Sequence, residues 1–175
     1  KVVERGKGDG VFITTTGVGV VPPGVNLSGD RALPGDKVLV SGTLGDHGVA
    51  IMSFRENLGF DTTICSDTAA LHGLVARMLE AAPGLRCLRD PTRGGLATTL
   101  NEFARQSAVG IRIREQAIPV RREVTAACEF LGLDPLYVAN EGRFVVFAPE
   151  AQAERVVQIL KAFQVSARAT RIGNV

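Results

Sequence analysis

The segment DPTRGG combines an acidic, a hydroxyl-bearing and a basic residue with two glycines. A carboxylate such as that of Asp90 can hold Mg²⁺ or orient a group. The hydroxyl of Thr92 can bind a phosphate, and Arg93 can clamp an anion. Gly94 and Gly95 let backbone N–H groups face a ligand. The segment lies between an apolar run typical of a strand and an amphipathic pattern typical of a helix. Two interpretations stay open: the edge of a nucleotide or phosphate site, or a strand-to-helix turn in which Asp90 or Thr92 caps the helix.

A second glycine-rich segment, SGTLGDHG at residues 41–48, follows one apolar run and opens another pattern typical of a helix. Gly42 and Gly45 would let the backbone approach a ligand, and N–H groups at a helix start favour an anion. The spacing matches neither the dinucleotide fingerprint nor the phosphate-binding loop. A tight turn with Thr43 or Asp46 as the N-cap is the preferred interpretation. Phosphate contact by Gly42, Thr43 and Gly45 is the alternative.

Two further side chains could move protons. His47 could act as an acid or base, but a histidine at a surface or helix start is the preferred interpretation. Glu141, in the segment ANEGR, precedes an apolar strand pattern and could act as a general base. From its residues alone, an exposed turn is the preferred interpretation of this segment.

The cysteines and histidines predict no metal site. Cys65, Cys87 and Cys128 are sparse and unevenly spaced, which argues against a disulfide framework and a zinc site. Only two histidines are present, so a histidine-rich metal site is excluded. Cys87 and Cys128 lie in apolar patterns and should be buried, whereas Cys65 should be exposed. This cysteine usage fits a reducing cytoplasm.

Alternating apolar runs and amphipathic stripes should position these segments. The stripe from Leu71 to Ala82 predicts a helix, with Ser66 or Asp67 as its N-cap and Pro83 after its end. Further helices are predicted at 46–57, from 96 to a stop near Gly110, at 124–131 and at 156–163. Strands are predicted at 11–16, 37–41, 85–88, 111–113, 144–147 and 167–175. The order predicts one α+β (mixed α/β) domain, a layered sandwich with a mixed β-sheet flanked by helices.

Composition narrows the classes of protein. The chain has 175 residues, of which 45% are hydrophobic and 22% charged, as in a folded globular domain. Its formal net charge is +2, with basic residues spread along the chain, so we expect no nucleic acid as partner. No apolar run approaches the roughly 20 residues that span a bilayer, and no signal peptide is visible. We therefore expect a cytoplasmic protein without a membrane partner.

Four stretches, read in order, resemble the carboxy-terminal half of the HypE family of hydrogenase maturation proteins. They are KVVERG, GDKVLVSGTLGDHGVAI, LRDPTRGGLATTLNEFA and LYVANEGRFVVF, at residues 1–6, 35–51, 88–104 and 136–147. That family is related to aminoimidazole ribonucleotide synthetase and selenophosphate synthetase. The resemblance implies a fold like the C-terminal domain of the former enzyme. It also implies that residues 1–175 are a single C-terminal domain whose N-terminal ATP-binding domain is absent here.

The resemblance further implies an activity and its partners. Family members use ATP and Mg²⁺ to dehydrate a carbamoyl group, carried on a terminal cysteine, to a thiocyanate. The cyano group then becomes a ligand of the iron in nickel–iron hydrogenase. Implied partners are the carbamoyl transferase HypF and the HypC–HypD scaffold complex, with a homodimer in the full-length protein.

The carry-over to individual residues is limited. Lys1 matches a lysine beside the acceptor thiol, and Glu141 matches the acidic residue paired with it in proton removal. Lys1 should be frayed in this chain. The family ends in a tail of the Pro-Arg-Ile-Cys kind, whereas this chain ends at residues 171–175 as RIGNV, so we expect the fragment to be inactive alone. The alternatives are a selenophosphate synthetase-like enzyme, or a module that binds partners of the maturation machinery.

Overall fold

Five strands form one sheet in the computed structural model, which describes residues 5–6, 10–11, 13–56 and 64–175. The spatial order is β2–β4–β1–β5–β3. In chain order the strands are β1 (Lys37–Val40), β2 (Cys87–Arg89), β3 (Arg112–Ile113), β4 (Val145–Ala148) and β5 (Thr170–Asn174). β1 and β4 are buried along their whole length, as expected for apolar runs covered on both faces.

The helices cover both faces of the sheet. In chain order they are α1 (Asp46–Arg55), α2 (His72–Ala81), α3 (Gly95–Ser107), α4 (Arg122–Leu131) and α5 (Glu150–Lys161). Neighbouring strand residues point to opposite faces. Leu39 packs with the core residues of α2 and α5, whereas Val38 and Val40 pack with those of α3. A third, smaller cluster joins α1 to α4.

The expected fold class, a layered α+β domain, is confirmed. One detail differs, because every pairing between the described strands is antiparallel rather than mixed. The crossover topology gives the reason. α5 connects β4 to β5, which run in the same direction but are separated by β1, and β1 is antiparallel to both. The one described parallel contact is an isolated bridge between Leu44 and Val120.

The predicted N-cap of α2 and the predicted strand at 11–16 are wrong. α2 begins at His72 with Leu71 as N-cap and without a side-chain cap hydrogen bond, so neither Ser66 nor Asp67 caps it. The segment 11–16, apart from Phe12, which lies outside the described residues, has no strand conformation and is exposed. β-branched residues favour a strand only when another strand offers hydrogen bonds and a packing surface. The other predicted elements are present, with their ends shifted by a few residues.

None of the helices in the described part of the chain has the length and apolar character needed to cross a bilayer.

Candidate functional site

Asn140 joins the three segments that the sequence singled out. Its side chain is fully buried. Oδ1 accepts a hydrogen bond from Gly45 N–H at 2.8 Å, and Nδ2 donates to the carbonyl oxygen of Pro91 at 3.1 Å. The backbone N–H of Asn140 donates to the same Pro91 oxygen at 3.3 Å. The turn before α1 and the turn before α3 therefore meet at the residue that precedes Glu141.

A buried carboxylate holds the backbone of the Glu141 turn. Asp67 Oδ1 accepts hydrogen bonds from the N–H groups of Glu141 and Gly142, at 3.0 and 3.3 Å. Asp67 Oδ2 lies 3.6 Å from Arg143 Nε, an ion-pair distance without hydrogen-bond geometry. At Gly142 an added Cβ would lie 1.7 Å from the Asp67 carbonyl oxygen, so only glycine fits there. The turn is thus fixed on both sides of the Glu141 side chain.

Arg143 carries this network to the turn before α1. Its Nε donates to the carbonyl oxygen of Thr43 at 2.9 Å, and its Nη1 donates to the carbonyl oxygen of Val165 at 2.9 Å. The Thr43 hydroxyl donates to Asp46 Oδ2 at 2.5 Å. Asp46 Oδ1 lies 3.2 Å from Arg121 Nε, again without hydrogen-bond geometry. Alternating charges thus compensate each other in a site that is largely buried.

These contacts define the role of the 41–45 turn within this chain. Gly42 and Thr43 are buried, and a Cβ at Gly42 would lie 2.9 Å from Arg143 Nε. Gly45 has a left-handed backbone with φ 84° and is the N-cap of α1, without a side-chain cap hydrogen bond. Neither Thr43 nor Asp46 is therefore the N-cap. The hydroxyl of Thr43 and the N–H of Gly45 already have internal partners, and phosphate contact by Gly42, Thr43 and Gly45 stays a prediction.

The 90–95 turn leaves more of its polar groups exposed. Asp90 and Arg93 are exposed, and the Thr92 hydroxyl donates to the Asp90 carboxylate. The N-cap of α3 is Gly94, with φ 72° and no side-chain cap hydrogen bond, so the expectation that Asp90 or Thr92 caps this helix is wrong. Gly95 packs closely against the 136–138 backbone, where a Cβ would lie 2.4 Å from a carbonyl oxygen. An uncapped helix start beside an exposed arginine can accept an anion.

The Glu141 carboxylate extends from the anchored 140–143 turn towards solvent. Its side chain is 45% exposed, and Oε1 lies 3.8 Å from Nε2 of His47. His47, the second residue of α1, is 21% exposed, and its Nδ1 lies 2.8 Å from Ser66 Oγ. His47 and Asp67 are the functional candidates that sequence reasoning undervalued. For His47 the available signal was that GDHG follows the apolar run of β1. The local sequence around Asp67 gave no signal of a contact with the Glu141 turn.

The remaining predicted residues fall in different places. Lys1 lies outside the described residues, so the structure does not test its pairing with Glu141. Cys87 and Cys128 are buried and Cys65 is exposed, as predicted. Burial raises the pKa of the Cys87 thiol from its ordinary value of 9.0 to about 11, and burial likewise raises the pKa of Cys128. Among the described residues no group of three or more His, Cys, Asp or Glu side chains could hold a metal ion.

Residues 34–175 match the family model described as AIR synthase related protein, C-terminal domain. Among curated proteins, the chain is 66% identical to a hydrogenase expression/formation protein HupE of Azotobacter chroococcum mcd 1 and 65% identical to a carbamoyl dehydratase HypE of Azotobacter vinelandii. Each alignment covers 100% of this chain and 51% of the relative. The chain thus spans about half the length of these curated relatives.

Two solved structures resemble this domain closely. A HypE–HypF complex gives a TM-score of 0.83 at 48% identity, over 85% of this chain and 49% of the other. HypE in complex with ATP gives 0.81 at 49% identity, over 84% of this chain and 44% of the other.

Proposed function

The chain belongs to the family of AIR synthase related proteins, as their C-terminal domain, and on this premise we propose that it serves an ATP-dependent carbamoyl dehydratase. The proposed reaction converts a cysteine-bound carbamoyl group to a thiocyanate, which supplies the cyano ligand of nickel–iron hydrogenase. Two findings support it: the 65% identity to a protein named carbamoyl dehydratase HypE, and the likeness to a HypE solved with ATP. An enzyme that catalyses this dehydration is a lyase.

The chemistry needs both a phosphate donor and a base. The carbamoyl oxygen attacks the γ-phosphorus of ATP and ADP leaves, which turns a poor leaving group into a phosphate ester. The nitrogen loses its first proton to solvent water and its second proton to the base. The C–O bond then breaks, phosphate leaves with the electron pair, and the carbon–nitrogen triple bond forms. General bases contribute typically about 10² to 10⁴-fold to such steps.

Glu141 is the base in this proposal, with Lys1 beside it. One observation carries the assignment: an exposed carboxylate stands on a turn whose backbone is anchored by buried side chains on both sides. Catalytic groups work best when rigid elements and supporting hydrogen bonds fix their position. Asn140 and Asp67 supply that support and act as positioning residues.

The 90–95 turn is the better candidate for contact with the nucleotide phosphates. Its exposed Arg93 and the N-terminus of α3 suit an anion, and Asp90, Thr92, Gly94 and Gly95 belong to the same proposal. The turn before α1 would act mainly by supporting the buried hydrogen-bond network that holds the Glu141 turn, through Gly42, Thr43 and Gly45. The described residues offer no cluster that fits Mg²⁺, so its ligands would come from the nucleotide and from the other half of the protein.

The partners follow from the same premise. A solved HypE is in complex with HypF, and we propose HypF, the carbamoyl transferase, as a partner of the full-length protein. The HypC–HypD scaffold would receive the product, a homodimer would form through the other half, and the cytoplasm would be the site of action.

The test is reconstitution with the full-length protein. After carbamoylation by HypF, addition of ATP should release ADP and phosphate, and mass spectrometry should show loss of one water from the modified cysteine. Consumption of ATP that depends on added selenide, with no change in the mass of the modified protein, would instead favour a selenophosphate synthetase-like enzyme.

One observation favours a second role, as a partner-binding module. An apolar groove of about 330 Å³ runs between α1 and the 133–139 segment, and apolar grooves of this kind often accept partners. Tyr137 at its edge is 60% exposed. A pull-down with purified HypF that compares wild type with Tyr137→Asp would test this role. Retention of HypF by both forms would exclude the groove.

A further inference from the structure

His47 stands against the side of the Glu141 carboxylate. Its Nε2 lies 3.8 Å from Glu141 Oε1. The two atoms would have to approach by roughly 1 Å to reach hydrogen-bond distance. His47 is the second residue of α1, so its backbone is held by the helix. Both side chains are partly exposed and lie at the surface of the same network.

The other ring nitrogen of His47 has a fixed partner. Nδ1 lies 2.8 Å from Ser66 Oγ. Ser66 Oγ accepts a hydrogen bond from the N–H of Thr68 at 3.3 Å and also lies 2.8 Å from Thr68 Oγ1. If the Thr68 hydroxyl donates to Ser66, both lone pairs of Ser66 Oγ are used, and its own proton is free for His47 Nδ1. A neutral imidazole that accepts at Nδ1 carries its proton on Nε2, the nitrogen facing Glu141.

Backbone hydrogen bonds hold the start of α1, which carries His47, against the turn that carries Glu141. The N–H of Gly48, in the first turn of α1, donates to the carbonyl oxygen of Ala139 at 3.0 Å. The N–H of Gly45 donates to Asn140 Oδ1 at 2.8 Å. The helix start that carries His47 is therefore bonded directly to the two residues before Glu141. A Cβ at Gly48 would lie 2.4 Å from a methyl group of Val138, so this close approach depends on glycine.

We propose that His47 is a positioning residue for Glu141: through the Thr68–Ser66–His47 chain it presents an Nε2–H donor to the Glu141 carboxylate. This deepens the proposed function, on which its catalytic part rests. A donor at this place fixes the direction in which the Glu141 carboxylate points. It also restricts the rotamers of the Glu141 side chain, which would otherwise be free at its exposed end.

The tautomer can be measured on the 175-residue chain without any assay of activity. Long-range ¹H–¹⁵N spectra of histidine-labelled protein distinguish which ring nitrogen carries the proton. The chain has two histidines, and the exposed His72 on α2 is an internal control. We expect His47 to be the Nε2–H tautomer in neutral solution and Ser66→Ala to weaken that preference, with His72 unchanged. A His47 signal that matches His72 and ignores Ser66→Ala would overturn the inference.

The positioning role is tested by kinetics in the full-length protein. His47→Leu should slow thiocyanate formation at least about 10-fold, with KM for ATP unchanged. This is the lower end of the loss seen when a residue that orients a metal ligand is removed, and His47 would orient Glu141 in the same way. His47→Gln, whose amide can donate from the position of Nε2, should recover part of the rate, and His72→Gln should have no effect. Equal rates for His47→Leu and wild type would refute the role. If wild type forms no thiocyanate, the proposed function fails, and the tautomer measurement alone decides the His47–Ser66 assignment.

Discussion

Asp67 Oδ1 accepts a hydrogen bond from the backbone N–H of Glu141 at 3.0 Å, although the two residues are 74 positions apart. Together with the Asn140 contacts, this bond makes the Glu141 turn part of the buried structure while its carboxylate remains exposed. Such an arrangement separates the group that reacts from the groups that hold it.

Asn140→Ala should destabilise the domain and loosen the Glu141 turn. The change leaves the buried N–H of Gly45 without its acceptor, whereas Pro91 keeps the bond from the Asn140 backbone. A buried polar group without a partner costs about 1–3 kcal/mol. Urea unfolding followed by circular dichroism measures the loss. Asn101→Ala, which removes an exposed amide from α3, is the matched control and should change stability by less than about 0.5 kcal/mol.

Leu74→Ala and Leu100→Ala should each lower the free energy of unfolding by about 2–5 kcal/mol, as large-to-small changes in cores do. The two leucines lie in the clusters on opposite faces of the sheet and are 2% and 6% exposed. Leu33→Ala, at a leucine 47% exposed, serves as the control. Cooperative thermal unfolding of all three variants is expected. A loss below about 0.5 kcal/mol for either core variant would show that its side chain does not pack in the core.

The buried Cys87 thiol should make the domain less stable at alkaline pH. Its pKa is raised from 9.0 to about 11 in the folded state. Above pH 9 the unfolded chain loses this proton while the folded chain keeps it. Deprotonation therefore stabilises the unfolded state, and the free energy of unfolding falls until the pH reaches about 11. The fall in unfolding free energy over this window should be smaller in Cys87→Ala. Cys65→Ala, which removes an exposed thiol, should retain the wild-type slope.

The 175-residue chain should bind ATP with Mg²⁺ no better than millimolar, which corresponds to about −4 kcal/mol. The described residues contain no cluster that fits Mg²⁺, and the 41–45 turn has its polar groups occupied internally. Isothermal titration calorimetry measures the affinity. Micromolar binding would mean that the 90–95 turn and its neighbours form a complete nucleotide site, and Arg93→Ala would then be expected to abolish it.

Local patterns were sufficient to predict most of the elements. The apolar stripe of α2 and the apolar runs of β1 and β4 predicted these elements within a few residues of their observed bounds. A buried face requires apolar residues at the spacing of its helix or strand, so this spacing is visible in the sequence. The strand expected at 11–16 is absent from its described residues, since no strand in the described part of the chain pairs with them.

The support of the site could not be predicted, because it depends on contacts between distant positions. Asp67 was expected to cap α2 from its local spacing, yet its carboxylate binds the Glu141 turn instead. His47 resembled an ordinary helix-start histidine until the fold brought it within 3.8 Å of Glu141. The spacing of apolar residues indicates which face of a helix or strand is buried. It does not indicate which distant backbone group a polar side chain binds.

Glu141→Gln in the full-length protein tests directly whether Glu141 is the base. Glutamine keeps the shape and hydrogen-bonding reach of the side chain but cannot accept the nitrogen proton. We predict that the variant folds, binds ATP and accepts the carbamoyl group as wild type does, while it forms thiocyanate at least ~100-fold more slowly. The single-turnover rate of water loss from the modified cysteine, followed by mass spectrometry, measures this. A rate within a few-fold of wild type would contradict the assignment of Glu141 as the base, and the anchored turn would then have only a structural role.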